Sequence, residues 1–521
     1  GGMWHQLVWS QARASFLLPA GSRTAATVRI GALAASVAAC LCLAGCASAP
    51  PPVDTTAPTV TAHTPADGDD NVSVHAPITV RFSEALAPES VTDSTVQLAG
   101  TGSIAIAKTL DLSNDGVLTV TPVASLTLPQ DMVLSLTSGL HDPSGNALVP
   151  ITYSWTLPNW LRLGDDPVMQ YEADSQVYSP LLAVDGAGTL VVAGNQVAYP
   201  EARLRRWDGE AWQALPLPSD DGSTLMVHDI EFDDLGRLVM VWLHRTSATS
   251  DFYVSRLEGA AWTHLGDGLL VGSTMYPEAA AVAIGADGEP VVAWSEKVDP
   301  GNSQTDQYVK RWNGTSWVQL GSKLDVTDNN MVQVIGVALS LGGAPLVSWL
   351  ETVTDVTRVR TFDATTSSWG SVGTSPFVDY QPQLLVPASG GLLAVGATTT
   401  GIRVYAFNGT NWVQRGAPAL RQAGAVPRTP SVHLTAAETV VAAWSEYVSA
   451  TSMAEVNVAE LTDEGWVYLG APIDIPVEFS ITEPSLVLLG DDLPAIAVGT
   501  YEPFPGSFEF RNRTLFRQLN R

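Results

Sequence analysis

The sequence predicts an all-β chain, a β-sandwich followed by a seven-bladed β-propeller. Three observations predict it. Residues 57–158 run in short alternating apolar and polar stretches broken by turn residues, the pattern of half-buried strands. Residues 159–521 repeat an aromatic-x-x-Leu-Gly motif about every 51 residues, a spacing expected of propeller blades. Gly (44) and Pro (34) are plentiful, which favours many short strands over long helices.

The first folded region shows its strands plainly. Ile78-Thr79-Val80-Arg81-Phe82 alternates, and so does Met132-Val133-Leu134-Ser135-Leu136. Asn114-Asp115-Gly116 and Pro129-Gln130-Asp131 supply turns. About 100 residues of this pattern make a sandwich. Ala57-Pro58-Thr59-Val60, Pro65-Ala66-Asp67-Gly68, Ile78 through Glu84 and Asp142-Pro143-Ser144-Gly145-Asn146-Ala147-Leu148 resemble the SbsA-type bacterial Ig-like domain in motif order. The resemblance implies an Ig-like β-sandwich at 56–158, used as a spacer or adhesive module. Asp67, Asp69 and Asp70 read as turn chemistry rather than a calcium loop.

The repeat begins at Trp160-Leu-Arg-Leu-Gly164. It continues at Trp212, Trp262, Trp317, Trp369, Trp412 and Trp466, with a worn copy at Phe516. Each period holds four strand signals. In the best copy these are Ala280–Ile284, 290–294, 307–312 and 316–320, with Asn313-Gly314 as a hairpin turn. The copy at Trp160 is one strand more than seven periods need. It is expected to join the last blade near Phe516 and close the ring; an eighth, degenerate blade is the alternative. The motif resembles the Arg-Trp-Asn-Gly-x-x-Trp propeller repeats of large bacterial surface proteins, a loose family without a uniform activity. Tryptophans that recur in one slot of every blade read as blade-to-blade packing, not as a sugar platform.

The first 45 residues contain Arg13, Arg23 and Arg29 and no acid. Residues 30–45 form an apolar run too short for a stable membrane span. This reads as a signal peptide, with 1–27 as an over-extended start. Leu43-Ala44-Gly45-Cys46 resembles a bacterial lipobox, which implies lipidation of Cys46 and cleavage before it. An ordinary secretory signal cut near Ala49 is the alternative. Ala47 at the following position implies sorting to an outer membrane. Residues 46–55 then form a Pro-rich tether, and the membrane becomes a partner through the lipid anchor.

Charge and cysteine content narrow the function. The 521 residues carry 53 acidic and 26 basic side chains, a net of −27. Beyond residue 45 the balance is 53 acids against 23 bases, a net of −30, which repels nucleic acid. Three cysteines, two of them in the signal, leave no disulfide scaffold and no thiolate zinc site. No nucleophile elbow, metalloprotease helix or phosphate-cradling motif occurs. No cofactor, metal or catalytic residue is expected.

Binding residues are expected where the repeats differ. The second-to-third and fourth-to-next-first connections share one face and are long and variable. His244, Glu296, Glu351 and Glu446 follow the second strands; Tyr178, Tyr276, Glu278, Tyr380 and Glu483 precede the first strands. Together they form a candidate aromatic-plus-carboxylate rim. A solvated acidic rim is the other reading of the same residues. The function expected is an envelope lipoprotein whose Ig-like stalk presents a propeller to a glycan or envelope protein. Alternatives are a polysaccharide-active enzyme using rim carboxylates and an outer-membrane assembly scaffold.

Overall fold

The computed structural model describes residues 53–521 except 165–167, 172–179, 196–201, 220, 272–275, 299–303, 325–334, 352–355, 375–381, 449–452, 474–479 and 504–509. The signal segment and Cys46 lie outside the described residues. Thr55–Arg521 forms one compact unit. Its described residues are strands joined by turns and three short 3-10 segments. No helix among them is long and apolar enough to cross a membrane.

The chain opens as an Ig-like sandwich. Strands Val60–Thr64, Ile78–Phe82, Val117–Pro122 and Lys108–Leu112 make one sheet. Ile104–Ala105, Val96–Gly100, Gln130–Leu136 and Ile151–Leu157 make the other. Alternation does what it predicts: Ile78, Val80 and Phe82 point inward while Arg81 is exposed. The inner faces meet around Val80, Leu118, Met132, Leu134 and Trp155, each a period-2 position.

Seven further sheets of four or more strands follow in chain order among the described residues. They form a β-propeller. Leu181–Val184, Thr224–Phe232, Pro277–Ile284, Ile335–Leu339, Gln383–Leu385, Ser431–Leu434 and Ser485–Leu489 are the axial strands. Each meets the next, and the last meets the first. The second strands are buried on both faces, as in Leu190–Gly194 and Pro290–Lys297, so they are apolar without alternation. The outermost strands, such as Ala261–His264, are largely exposed.

The ring closes with the N-terminal strand. Trp160–Arg162 pairs antiparallel with Phe510–Leu519, in the register Trp160↔Leu519 and Arg162↔Arg517. Met169–Tyr171 extends the same edge, Met169 opposite Thr514. The last blade is thus completed from both ends of the propeller sequence, which covers an otherwise unpaired edge.

The repeated motif is the stitching between blades. The indole Nε1 of Trp212 donates to Leu163 O at 2.8 Å, Trp262 to Pro216 O at 2.8 Å, and Trp317 to Leu265 O at 2.6 Å. Trp369 donates to Leu320 O at 2.8 Å, Trp412 to Val372 O at 2.9 Å, and Trp466 to Ala417 O at 3.0 Å. Trp160 completes the circuit by donating to Ala471 O at 2.9 Å. The glycine of the motif lies under the next blade's aromatic residues. A Cβ on Gly266, whose φ is +68°, would stand 2.8 Å from the Trp312 ring. The repeat therefore needs Trp to donate and Gly to let the ring approach.

The axial strands have a second tie. Each has one edge without a strand partner, and its N–H groups need acceptors. Ser485 Oγ accepts from Leu182 N at 2.9 Å, Asn195 Oδ1 from Val227 N at 2.8 Å, and Asp229 Oδ2 from Val282 N at 2.9 Å. Gln383 Oε1 accepts from Val432 N at 3.2 Å and Ser431 Oγ from Leu486 N at 2.9 Å. Asp229, Gln383, Ser431 and Ser485 on these strands, with Asn195 just past a second strand, are structural acceptors between blades.

The sandwich is locked onto the propeller. Asn520, 2% exposed, donates from Nδ2 to Val72 O at 3.1 Å and to Pro158 O at 2.9 Å. Its Oδ1 accepts from Val74 N at 2.8 Å. Asn71 exchanges two hydrogen bonds with the Arg162 backbone at 2.7 and 3.0 Å, and Asp70 pairs with the Arg162 guanidinium. The aspartates read as turn chemistry divide here: Asp69 Oδ1 accepts from Asn71 N at 2.9 Å in a local turn, Asp67 Oδ1 from Ser154 N at 2.8 Å, and Asp70 serves the junction.

Candidate functional site

Three of the five glutamates placed on the candidate rim sit inside the blades. Glu296, Glu351 and Glu446 lie at or near the ends of second strands and are 2%, 0% and 0% exposed. Glu296 Oε2 accepts from Trp294 Nε1 at 2.9 Å and from Val271 N at 3.1 Å. Glu446 Oε1 accepts from Trp444 Nε1 at 2.8 Å and from Arg421 N at 2.9 Å, and its Oε2 from Gln422 N at 3.2 Å. Val271, Arg421 and Gln422 lie on the crossovers entering those blades. Glu351 Oε2 pairs with Arg358 Nη2 at 3.1 Å. A buried carboxylate needs such donors. The three are pegs that hold crossovers and neighbouring strands, not a solvent-facing rim.

The other candidates are scattered. Tyr276 is 42% exposed, and its carbonyl accepts from Lys297 N at 3.0 Å. Glu278 pairs with Lys297 Nζ at 2.7 Å. Tyr276, Glu278 and Glu296 therefore share one blade. Glu483 lies 3.9 Å from Arg428 Nη1. Tyr178 and Tyr380 lie outside the described residues.

His244 differs from the glutamates in the same slot. Its blade's Trp242 donates instead to Ser255 Oγ at 2.9 Å. His244 Nε2 lies 3.0 Å from Asp221 Oδ2 on the preceding crossover. Asp221 also accepts from Ser223 N at 2.9 Å. Hydrogen bonds from Ser223, then His244 and Ser219, hold its carboxyl well below the usual carboxylate range. Beside this pair an open polar cleft of about 450 Å³ separates the crossover from the turn after Arg245.

The pattern of the sequence did not single out the axial strand Thr224–Phe232. It carries His228, Asp229 and Glu231 in succession with apolar residues. Each of the three residues is half-buried, and Asp229 Oδ2 faces the next axial strand, accepting from Val282 N. Burial pushes Asp229 up to about 6, opposed by the N–H groups of Val282 and Ile230. Burial, with Asp229 beside it, pushes Glu231 up to about 8. Burial lowers His228 to about 4, with Arg245 adding to the shift. Charged residue types inside an otherwise apolar strand were the available signal.

Residues 54–157 match the bacterial Ig-like domain family Big_5. The comparison with curated proteins gives no match. Among solved structures the chain is similar to a polysaccharide lyase of family PL25, ulvan lyase, at 13% identity and TM-score 0.45, over 68% of this chain and 96% of that one. It is similar to the fucose-specific lectin from Aleuria aurantia at 14% identity and TM-score 0.36, over 57% and 95%. It is similar to the Dos1 propeller at 10% identity and TM-score 0.38, over 67% and 96%.

Proposed function

We propose that the chain is an exported bacterial envelope protein, lipid-anchored at Cys46 to the outer membrane, that acts as a non-catalytic binding module. The Ig-like domain is the stalk and the propeller the reader, taking a glycan or an envelope protein on the face that carries the crossovers. The observation that carries this reading is the division of labour within the blades. The repeated Trp and Glu side chains are committed to holding blades and crossovers together, while the open polar cleft lies on the crossover face. A rigid frame with variable connections on one face is an architecture for recognition. The Asn520 and Asn71 contacts fix the reader's orientation on its stalk. Ig-like domains of this family are typical of exported and surface proteins.

The test is retention of the full chain on immobilised envelope polysaccharides and on a glycan array, with envelope extract as a second bait. Saturable retention that is lost on exchanging crossover-face residues, but not residues of the short-hairpin face, supports the proposal. Equal loss from both faces contradicts it.

A further inference from the structure

The second blade departs from the third, fourth and sixth at the peg position. Where three other blades place a buried glutamate, it places His244. In the third and sixth blades the glutamate draws N–H groups of the crossover onto the blade. In the second blade His244 meets a crossover carboxylate instead, at 3.0 Å. The cleft lies beside that pair, walled by Asp221, Ser223, Thr224, Arg245, Thr246 and Ser247.

Two of these walls are already engaged. Asp221 is held by His244 and Ser223. The Thr246 hydroxyl accepts from Ala248 N at 3.1 Å and Thr249 N at 2.9 Å, closing the turn. Arg245 is different. Its Nε donates to Ser250 Oγ at 3.3 Å, its side chain is exposed, and its Nη groups meet no protein acceptor among the described residues. A planar guanidinium held at one edge presents its other donors to a carboxylate in a bidentate fit. Around it stand the hydroxyls of Ser223, Thr224 and Ser247, which suit a ligand rich in hydroxyl groups. Among the described residues, no large apolar or aromatic side chain lines the cleft.

The geometry points to a saccharide-binding subsite for a hexuronate unit, with the sugar carboxylate on Arg245 and its ring hydroxyls on Ser223, Thr224 and Ser247. This deepens the reading of the propeller as a binding module and rests on it. His244 is a positioning residue: it holds Asp221 and so keeps the carboxylate away from Arg245.

Calorimetry on the full chain with tetramers of galacturonate and of glucuronate, their methyl esters and inorganic sulfate tests the subsite. A uronate tetramer binds, and its ester and sulfate bind at least about tenfold more weakly. Arg245→Gln weakens the uronate by about tenfold or more without shifting the melting temperature. His244→Glu, which installs the glutamate of the third, fourth and sixth blades, weakens it too. Equal binding of acid and ester overturns the inference, and so does unchanged binding by Arg245→Gln. Sulfate competing as strongly as the uronate reduces the cleft to a site for an adventitious ion only and likewise overturns it. If the uronates fail but another glycan or envelope protein is retained, the subsite falls and the binding-module reading stands. If nothing is retained, both fall.

Discussion

Single residues carry the blade contacts and the buried charge. Trp317 is needed for its indole N–H, because the Leu265 carbonyl it satisfies is packed between blades. Trp317→Phe is expected to cost about 1–3 kcal/mol of stability in urea unfolding. Gly266→Ala is expected to cost at least about 1–2 kcal/mol from its left-handed backbone alone, before the added methyl meets Trp312. Glu231 supplies a pH test. It is protonated up to about 8 in the fold but ionises in the usual carboxylate range when unfolded. The folded state therefore holds an extra proton, and stability falls as the pH rises towards 8. His228 works in the other direction, but only between about 4 and 6.5. Between pH 6.5 and 8 the loss is up to about 1.4 kcal/mol per pH unit. Thermal unfolding of Glu231→Gln should show a flatter dependence across that window; an unchanged slope would place the proton elsewhere.

At the scale of the element, the strand Trp160–Arg162 carries more than its length suggests. It pairs with Phe510–Leu519, donates to Ala471 O, and receives Asn71 and Asp70 of the sandwich. Asn520 lies beside it and is buried with three hydrogen bonds to the sandwich side and the linker. Asn520→Ala leaves Val74 N, Val72 O and Pro158 O without that partner and should cost about 1–3 kcal/mol. Limited proteolysis should then cut the linker near Pro158 first. Much of this element was legible: the surplus repeat copy at Trp160 had to pair somewhere, and the open edge near Phe516 was the place. The rim was less legible. Periodicity identified the tryptophans as structural, and the same periodicity applies to Glu296, Glu351 and Glu446. Their residue type suggested a solvent-facing role, but the donors that hold a buried carboxylate decide it: crossover N–H groups about 25 residues away for Glu296 and Glu446, and the adjacent strand's Arg358 for Glu351. His244 broke the pattern visibly. Its partner Asp221, 23 residues away, is brought to it only by the fold.

For the whole molecule, the sandwich meets the C-terminus: the segment Asn71 to His75 packs against Arg162, Asn520 and Arg521. A stalk fixed this way transmits its own orientation to the propeller. Lipidation at Cys46 is tested by Cys46→Ala, which should shift the protein from the membrane to the soluble fraction and abolish metabolic labelling with palmitate. The propeller is proposed to recognise without reacting. The most direct measurement follows one incubation of the full chain with envelope polysaccharides in two ways, retention of the protein and release of new sugar ends. Saturable retention is expected, with no ends released above the level of a heat-inactivated sample. Release of ends that disappears in Glu296→Gln, Glu351→Gln or Glu446→Gln, with the fold intact, would contradict it.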